Sequence, residues 1–372
     1  MMYPNHVALR NAVTADDILK WAVEQGASDI SFAPNEPVWM RLNGEWHPIL
    51  QQSRTNSEIE ALLSEFSKQP SAASQARSGQ DVDFRYEITV SRGKRVRFRC
   101  NATGCQDGWG SGVSMVLRTI PELPPKLEVF GLPAELVTAF KPKYGLVLVT
   151  GPVGSGKSTL LSSVLRDIAE QEPKHILTYE APIEFDLMGI PERRSLVVQT
   201  EVPRHLKSFD VAPRNSLRRA GDVILFGEAR DKETLRNMAI EAETGVAVYS
   251  TVHTNSVAET ISRIVREFPH DERDSMIATL VSAMRLIVHQ RLVVNATGDG
   301  RVALREWLIF DEYVQDSLIR TRSEDLIPVM QELVESHGRP ITLDAIEHFK
   351  AGRISEVEYR AFVPKDKDTL AA

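Results

Sequence analysis

The sequence GPVGSGKST, Gly151–Thr159, directly follows the short apolar run GLVLVT, Gly145–Thr150. It fits the pattern G-x-x-x-x-G-K-[ST], in which a glycine-rich backbone surrounds phosphate groups. Glycines allow backbone angles that other residues avoid, so successive N–H groups can point at phosphate oxygens. After the loop, apolar residues recur with helical spacing, at Leu160, Leu161, Val164, Leu165 and Ile168. A buried strand, a phosphate loop and a helix are therefore predicted in this order, rather than a glycine-rich turn without a ligand.

The whole loop is a candidate nucleotide-binding segment, comprising Gly151, Pro152, Val153, Gly154, Ser155, Gly156, Lys157, Ser158 and Thr159. Lys157 would place a positive charge against the β- and γ-phosphates, and Ser158 would offer its hydroxyl to Mg²⁺. ATP and Mg²⁺ are therefore the expected cofactors.

Composition indicates a globular protein of ordinary type, with 372 residues, 42% hydrophobic and 26% charged, for which two domains are expected. A net charge of −7 argues against a protein that mainly coats nucleic acid. No apolar stretch is long enough to span a bilayer, and the first residues lack the apolar core of a signal peptide. Cys100 and Cys105 could form one bridge, but free thiols in a reducing cytosol are favoured. We expect a cytoplasmic protein that reaches a membrane only through partners.

Strands alternate with helices in the second half of the chain, which predicts an α/β domain with a mostly parallel sheet covered on both faces. Among its elements we expect a helix over residues 272–290 and a strand over residues 302–310. The first hundred or so residues predict a smaller α+β domain, followed by a proline-rich linker. The predicted boundaries are 1–118 for the N-terminal domain, 119–135 for the linker, 136–320 for the nucleotide-binding domain, 321–364 for a C-terminal helical segment and 365–372 for a disordered tail.

Polar residues follow three of the predicted strands, where a parallel sheet binds its ligands. Glu180 and Glu228 each end or follow an apolar run, and His253 follows a third. One glutamate would orient the attacking water and the other would complete the Mg²⁺ shell, directly or through water; the sequence leaves the assignment open, although Glu228 occupies the usual metal-side position. For His253, sensing of the γ-phosphate is favoured over a structural role.

Arg95, Arg97 and Arg99 share one face of a predicted strand, because side chains alternate along a strand. They could form a solvated face. They could bind nucleic acid, although the acidic net charge and the lack of interleaved aromatic residues argue against this. They could also act, with Arg118, as arginine fingers on a nucleotide of a neighbouring subunit, which requires an oligomer.

Four segments, in this order, resemble the Walker A, Asp box, Walker B and His box of the secretion ATPase superfamily, which includes PilT-like pilus retraction motors. They are GPVGSGKST, ILTYEAPIEF, LRRAGDVILFGEARD and STVHTNSVAETISR. GASDISF and WMRLNGEWHPI resemble the opening of that family's PAS-like domain, and RVRFRCNATG and VLRTIP resemble its arginine-bearing segments. Within the superfamily the chain is most similar to ATPases of type IVB secretion and of IncI-type conjugative plasmids.

The resemblance implies a homo-hexameric ring of RecA-like domains, each preceded by a PAS-like domain, with nucleotide bound between domains. The matched positions are Lys157 and Ser158 in Walker A, Glu180 in the Asp box, Glu228 in Walker B, His253 in the His box, and Arg99 and Arg118 as family arginines. In two respects the chain departs from the pattern. Ala181 replaces a common aspartate, which is expected to leave Glu180 as the only acid of its box. A four-cysteine zinc segment is absent, which argues against a pilus-assembly or type II secretion motor.

We therefore expect an ATP-hydrolysing motor that works with a membrane-embedded secretion or conjugation apparatus and associates peripherally with the inner membrane. A PilT-type pilus retraction motor is the nearest alternative. A nucleotide-sensing ring with little turnover and a RecA-type nucleic-acid motor are alternatives of other classes.

Overall fold

The computed structural model describes residues 12–42, 44–91, 94–120, 123–228 and 232–363. The predicted tail 365–372 and residues 229–231 of the Walker B segment lie outside the described residues. The chain forms two compact units, which divide between Glu122 and Leu123. This division falls inside the predicted linker, but Leu127 is buried in the second unit, so the chain from Leu123 onwards packs with that unit.

The first unit is a sheet with helices against it. Its helices are α1 (Ala12–Glu24), α2 (Asn56–Ser67) and α3 (Ala72–Arg77), and its strands are β1 (Asp29–Phe32), β2 (Trp39–Leu42), β3 (Glu45–Pro48), β4 (Val82–Ser91), β5 (Lys94–Asp107) and β6 (Gly110–Ile120). The strands pair in the order β3-β2-β1-β6-β5-β4, and each strand runs antiparallel to its neighbours.

Alternation along β5 explains how this sheet is covered. Val96, Phe98 and Cys100 are buried in the core, whereas Arg95 and Arg99 are exposed on the other face. Burial of one large apolar side chain contributes about 1.5–3 kcal/mol, so the buried face holds the helices and the arginine face is left for polar partners.

The second unit alternates strands and helices, as predicted. Its strands are β7 (Gly145–Thr150), β8 (His175–Glu180), β9 (Leu196–Glu201), β10 (Val223–Phe226), β11 (Ala247–Val252), β12 (Met284–Val294) and β13 (Arg301–Ile309). Its helices are α4 (Ala134–Ala139), α5 (Lys157–Gln171), α6 (Ala212–Ser216), α7 (Lys232–Glu243), α8 (Ala258–Val265), α9 (Arg273–Ala283), α10 (Glu312–Ile319), α11 (Leu326–Ser336), α12 (Ile341–Lys350) and α13 (Glu356–Phe362), with short 3₁₀ turns at Leu127–Phe130 and His270–Glu272.

The strands of the second sheet lie in the order β13-β12-β7-β11-β10-β8-β9. All neighbours are parallel except β12 and β13, so the predicted mostly parallel sheet is confirmed. Strand β7 is buried throughout: Leu146 and Leu148 face one apolar cluster, and Val147 and Val149 face the other. Helices therefore cover both faces, with α5 on one and α7, α8 and α9 on the other.

The predicted helix over residues 272–290 was wrong in its second half. Helix α9 ends at Ala283, and β12 begins at Met284 and pairs in parallel with β7. Leu286 and Val288 contact one apolar cluster while Ile287 contacts the other, which is the alternation of a strand. Pairing with β7 buries these side chains on both faces, and this tertiary contact overrides the local helical pattern.

The C-terminal helices form a satellite of the second unit. Helices α12 and α13 share a small apolar cluster with β12 and β13, which includes Val293, Leu304, Ile346 and Tyr359. Residues 321–364, predicted as a helical segment, contain α11, α12 and α13, and Gly352 lies between α12 and α13 with a left-handed backbone. No helix in the described ranges combines the length and apolar composition needed to cross a membrane.

Glu241 of α7 is a buried carboxyl group outside the predicted site. It is 1% exposed, and neither of its oxygens has a hydrogen-bond partner among the described residues. Burial raises the pKa of Glu241 from 4.5 to about 7, although the nearby Ser216 hydroxyl offsets part of the effect. A carboxyl group with a raised folded-state pKa favours folding at low pH, and this contribution is lost as the pH rises from 4.5 to about 7.

Glu241→Gln is expected to remove this pH dependence. The wild-type unfolding free energy should fall by up to about 3 kcal/mol across that interval because of this group, and that of the variant should not. Thermal denaturation at about pH 5 and about pH 8 measures the difference. Glu243→Gln, at an exposed position of the same helix, is the control and should behave as wild type. Equal pH dependence in wild type and Glu241→Gln would contradict the interpretation.

Candidate active site

The phosphate loop connects the end of β7 at Thr150 to the start of α5 at Lys157. A Cβ atom on Gly151 would lie 2.3 Å from the Gln290 carbonyl oxygen of β12, so only glycine fits against that strand. Gly156 has a φ of +80° and forms the N-cap of α5, a left-handed conformation that glycine adopts without strain. The loop conformation therefore depends on its glycines and on the strand beside it.

Lys157 is held at the mouth of the loop. Its Nζ donates hydrogen bonds of 2.9 Å to the carbonyl oxygens of both Gly151 and Pro152. Burial lowers the pKa of Lys157, and the carboxylates of Glu228 and Glu184 act in the opposite direction. The ammonium group is thus kept close to acidic side chains in a partly dry site, where it can exchange carbonyl oxygens for phosphate oxygens.

A cavity of about 300 Å³ lies beside the loop and brings most of the predicted residues together. Its lining includes Val153, Gly154, Lys157 and Ser158 of the loop, together with Glu180, Glu228 and His253. The remaining loop residues, Gly151, Pro152, Ser155, Gly156 and Thr159, are not among the residues that line it. The convergence of the strand-end residues on the loop, predicted from the sequence, is therefore present in the structure.

Glu180 ends β8 in a nearly closed environment, 6% exposed. Its Oε1 accepts hydrogen bonds from the Thr178 hydroxyl at 2.6 Å and from Gln199 Nε2 at 3.1 Å. Burial raises the pKa of Glu180, and these donors, with the Glu184 backbone N–H, oppose the rise because they stabilise the carboxylate. The Glu180 carboxylate is thus fixed in position at the cavity wall.

Glu228 and His253 follow neighbouring parallel strands, β10 and β11. His253 Nε2 lies 3.5 Å from Glu228 Oε1, and His253 Nδ1 lies 3.5 Å from Lys157 Nζ. The imidazole therefore lies between Lys157 and Glu228. From this position the imidazole could transmit a change in the charge of a bound phosphate to both Lys157 and Glu228.

Glu184 corrects the prediction that Glu180 is the only acid of its segment. It lies four residues after Glu180 in the same quoted segment and lines the same cavity. Its backbone N–H supports the Glu180 carboxylate, and its own charge opposes the burial effect on Lys157. The segment therefore keeps a second acid, Glu184, although Ala181 replaces the common aspartate. This glutamate is visible in the sequence as the second acid of TYEAPIEF.

Arg99 and Arg118 belong to the first unit, where they are direct Cα partners on β5 and β6. Arg85 is the partner of Arg99 on its other side, so three arginines form one row across the sheet. Arg118 Nε donates to Asp29 Oδ1 at 2.7 Å. Arg99 is exposed, and among the described residues no ion pair is found for it. Arg118 is paired with Asp29, so it is the exposed Arg99, beside two further arginines, that is suited to an anionic partner.

Arg95 and Arg97 differ from Arg99, because both contact the same carboxylate. Each lies 3.0 Å from an oxygen of Glu87 on β4, and these contacts lower the pKa of Glu87 against the opposing effect of its burial. The arginines predicted to share one face therefore differ in their charge pairing. Arg95 and Arg97, near the start of β5, are paired with Glu87, whereas Arg99 further along the strand is not.

His289 was missed in the sequence because its strand was predicted as helix. It is 1% exposed on β12, and its Nδ1 lies 3.2 Å from the Thr150 hydroxyl at the entrance of the loop. Burial, followed by the charges of Arg291 and Lys157, lowers the pKa of His289 to about 4. His289 is therefore neutral near pH 7 and supports the loop without adding charge.

Comparison with known proteins agrees with this geometry. The family of type II/IV secretion system proteins matches residues 8–359. The type IV pilus retraction ATPase PilT of Pseudomonas aeruginosa is 34% identical over 322 residues, 87% of this chain and 89% of that protein. The crystal structure of the Legionella pneumophila ATPase DotB matches with a TM-score of 0.86 and 38% identity, covering 97% of this chain and 98% of that one. A structure of the pilus retraction motor PilT with bound ADP matches with a TM-score of 0.80 and 31% identity, covering 95% and 98%.

The family match covers residues 8–359, and PilT and Legionella DotB are more than 30% identical over most of the chain. The chain therefore belongs to the type II/IV secretion system protein family, and it is an ATPase of the secretion ATPase superfamily.

Proposed function

We propose that the chain is the hexameric motor of a type IVB secretion or plasmid conjugation system, cytoplasmic and peripherally bound to the inner membrane through partner proteins. The cavity shared by Lys157, Glu180, Glu228 and His253 carries the ATPase part of this proposal. The choice of system is supported by the match to Legionella DotB, at 38% identity and a TM-score of 0.86, against 31% and 0.80 for the PilT structure; the Yersinia pseudotuberculosis DotB matches with a TM-score of 0.84 at 29% identity. Pilus retraction stays the second candidate because of the long match to the retraction ATPase PilT.

In the proposed mechanism the loop binds the triphosphate of ATP through its backbone N–H groups and Lys157. Ser158 and Glu228 offer hydroxyl and carboxylate oxygens to the same cavity, which is the donor set that Mg²⁺ prefers. These two residues would hold the ion, and when bound it would neutralise charge on the phosphates. Glu180, fixed by Thr178 and Gln199, would orient the attacking water.

His253 and the arginine row would link turnover to motion. His253 lies between Lys157 and Glu228, so its contacts would change when the γ-phosphate leaves. Arg99 and Arg118 would reach the nucleotide of a neighbouring subunit, and the exposure of Arg99 beside Arg118 supports an anionic partner. When phosphate leaves after each turnover, the arginines would lose part of their anionic partner, and the two neighbouring subunits could then move relative to each other. In a ring this movement would do mechanical work.

Lys157→Ala is expected to lower ATPase activity at least about a hundredfold, because the main positive charge on the phosphates is removed. Release of phosphate measures the loss, and Lys350→Ala, at an exposed position at the end of α12, should retain wild-type activity. Wild-type protein that binds ATP without turnover would instead support a nucleotide-sensing ring. Stimulation of turnover severalfold by DNA would revive a nucleic-acid motor.

The cellular role is tested in the source organism by replacing the gene with the Lys157→Ala allele. Loss of protein or plasmid transfer with normal pilus retraction is the expected result. Normal transfer with loss of pilus retraction would reject the secretion assignment in favour of the second candidate.

Thr178→Val is expected to move the acid limb of the ATPase pH profile to higher pH by roughly half a unit to one unit. The change removes a hydroxyl donor to Glu180, so the pKa of that carboxyl rises further, and orienting water requires the ionised form. Thr200→Val is the matched control, because Thr200 pairs with Tyr179 and lies on the other face of the sheet. An acid limb that stays in place would show that Glu180 is not required in its ionised form.

A mixing experiment tests action between subunits. Arg99→Ala and Lys157→Ala should each be nearly inactive, but their mixture should regain activity, because some sites combine an intact Arg99 with an intact Lys157 from the neighbour. Arg95→Ala, which removes an arginine already paired with Glu87, should be active alone. If the mixture is no more active than its two components, Arg99 does not act in trans.

A further inference from the structure

Gln290 of β12 connects the phosphate loop to the antiparallel edge of the sheet. Its side chain is 1% exposed, and its Nε2 donates a hydrogen bond of 2.6 Å to the Ser155 carbonyl oxygen of the loop. Its Oε1 accepts a hydrogen bond of 2.8 Å from Arg305 Nε on β13. One buried amide therefore bridges a loop carbonyl and a buried guanidinium.

The two neighbours determine which way the amide points. Arginine can only donate, so the atom that faces Arg305 must be the oxygen of Gln290. A backbone carbonyl can only accept, so the atom that faces Ser155 must be the nitrogen. Glutamine is the side chain of this length that satisfies both, because glutamate would place a second acceptor against the Ser155 carbonyl.

Arg305 itself is held firmly. It is 7% exposed, its backbone N–H donates to Asp344 Oδ2 of α12 at 2.9 Å, and its guanidinium carbon lies 5.8 Å from the centre of the Phe130 ring. Asp344 opposes the lowering of the Arg305 pKa that burial causes, so the guanidinium keeps its charge and its role as donor. The anchor behind Gln290 therefore extends to the C-terminal helical segment.

The bond to Ser155 fixes the orientation of one peptide plane. The Ser155 carbonyl and the Gly156 N–H belong to the same planar trans peptide and point in opposite directions. Holding the oxygen towards Gln290 therefore directs the Gly156 N–H away from it. Gly156 has a φ of +80° and no side chain, so the hydrogen bond from Gln290 acts on a peptide that glycine leaves conformationally free on one side.

We propose that Gln290, held by Arg305, is a positioning residue that keeps the Ser155–Gly156 peptide turned so that its N–H meets a phosphate of the nucleotide. It acts through the loop and does not touch the reacting atoms. The proposal rests on nucleotide binding by the loop, as described under Proposed function, but not on the hexamer or on the secretion role.

The test uses the full-length chain with Gln290→Glu, which keeps the length of the side chain and the bond from Arg305 but replaces the donor by an acceptor. We expect the Kd for ADP and the KM for ATP to rise at least tenfold, while kcat changes less than threefold, because the N–H holds the phosphate before and during the reaction alike. Gln290→Met, which is similar in length and has no donor, should raise Kd and KM in the same direction and serves if the glutamate variant does not fold.

Gln315→Glu is the matched control. The amide of Gln315 donates to the carbonyl oxygens of Val281, Ser282 and Met284, at the opposite end of β12. This variant should lose thermal stability without a change in the KM for ATP. If Gln290 has only a structural role, Gln290→Glu will behave like this control: less of the protein will be active, and the KM for ATP will be unchanged. That result would overturn the proposal. If wild-type protein fails to bind ADP, nucleotide binding by the loop is wrong; if wild type binds and Gln290→Glu binds equally well, only the role of Gln290 is wrong.

Discussion

The parallel pairing of β7 with β11 and β12 is the contact on which the site depends. Parallel neighbours end at the same edge of a sheet, so the groups that follow these strands are collected beside the loop that follows β7. Strand β11 brings His253 there, and β10 and β8 bring Glu228 and Glu180. Strand β12 lies so close to the loop that a Cβ atom on Gly151 would overlap its backbone. These candidate site residues therefore owe their proximity to strand order rather than to contacts between themselves.

Electrostatic balance explains how so many charges share a cavity of about 300 Å³. Burial lowers the pKa of Lys157 and raises that of Glu180, and specific partners oppose part of each shift: carboxylates for the lysine, and hydroxyl, amide and backbone donors for the glutamate. Dipoles and charges that are fixed before the nucleotide arrives need little reorganisation during reaction. Neutral His289 supports the loop from behind without disturbing this balance.

The first unit presents a different kind of chemistry. Its helices cover the apolar face of an antiparallel sheet, and the opposite face carries arginines that are only partly neutralised, by Glu87 and by Asp29. In the proposed ring this face supplies charge to a neighbour while the second unit supplies the nucleotide. Under that proposal hydrolysis would depend on movement between subunits, which a motor requires.

The sequence by itself determined the phosphate loop, the alternating α/β order and the strand-end residues Glu180, Glu228 and His253. These signals are local, because glycine spacing and apolar periodicity follow from backbone sterics and burial over a few residues. Only the tertiary structure decided that residues 284–294 are a strand, since their fate depends on pairing with β7, more than a hundred residues earlier. That pairing also places His289 and Gln290 beside the loop. Arg305 then contacts Gln290, and Asp344 contacts Arg305. No spacing in the sequence reveals such contacts, because each partner comes from a different strand or helix and meets the others only in the folded sheet.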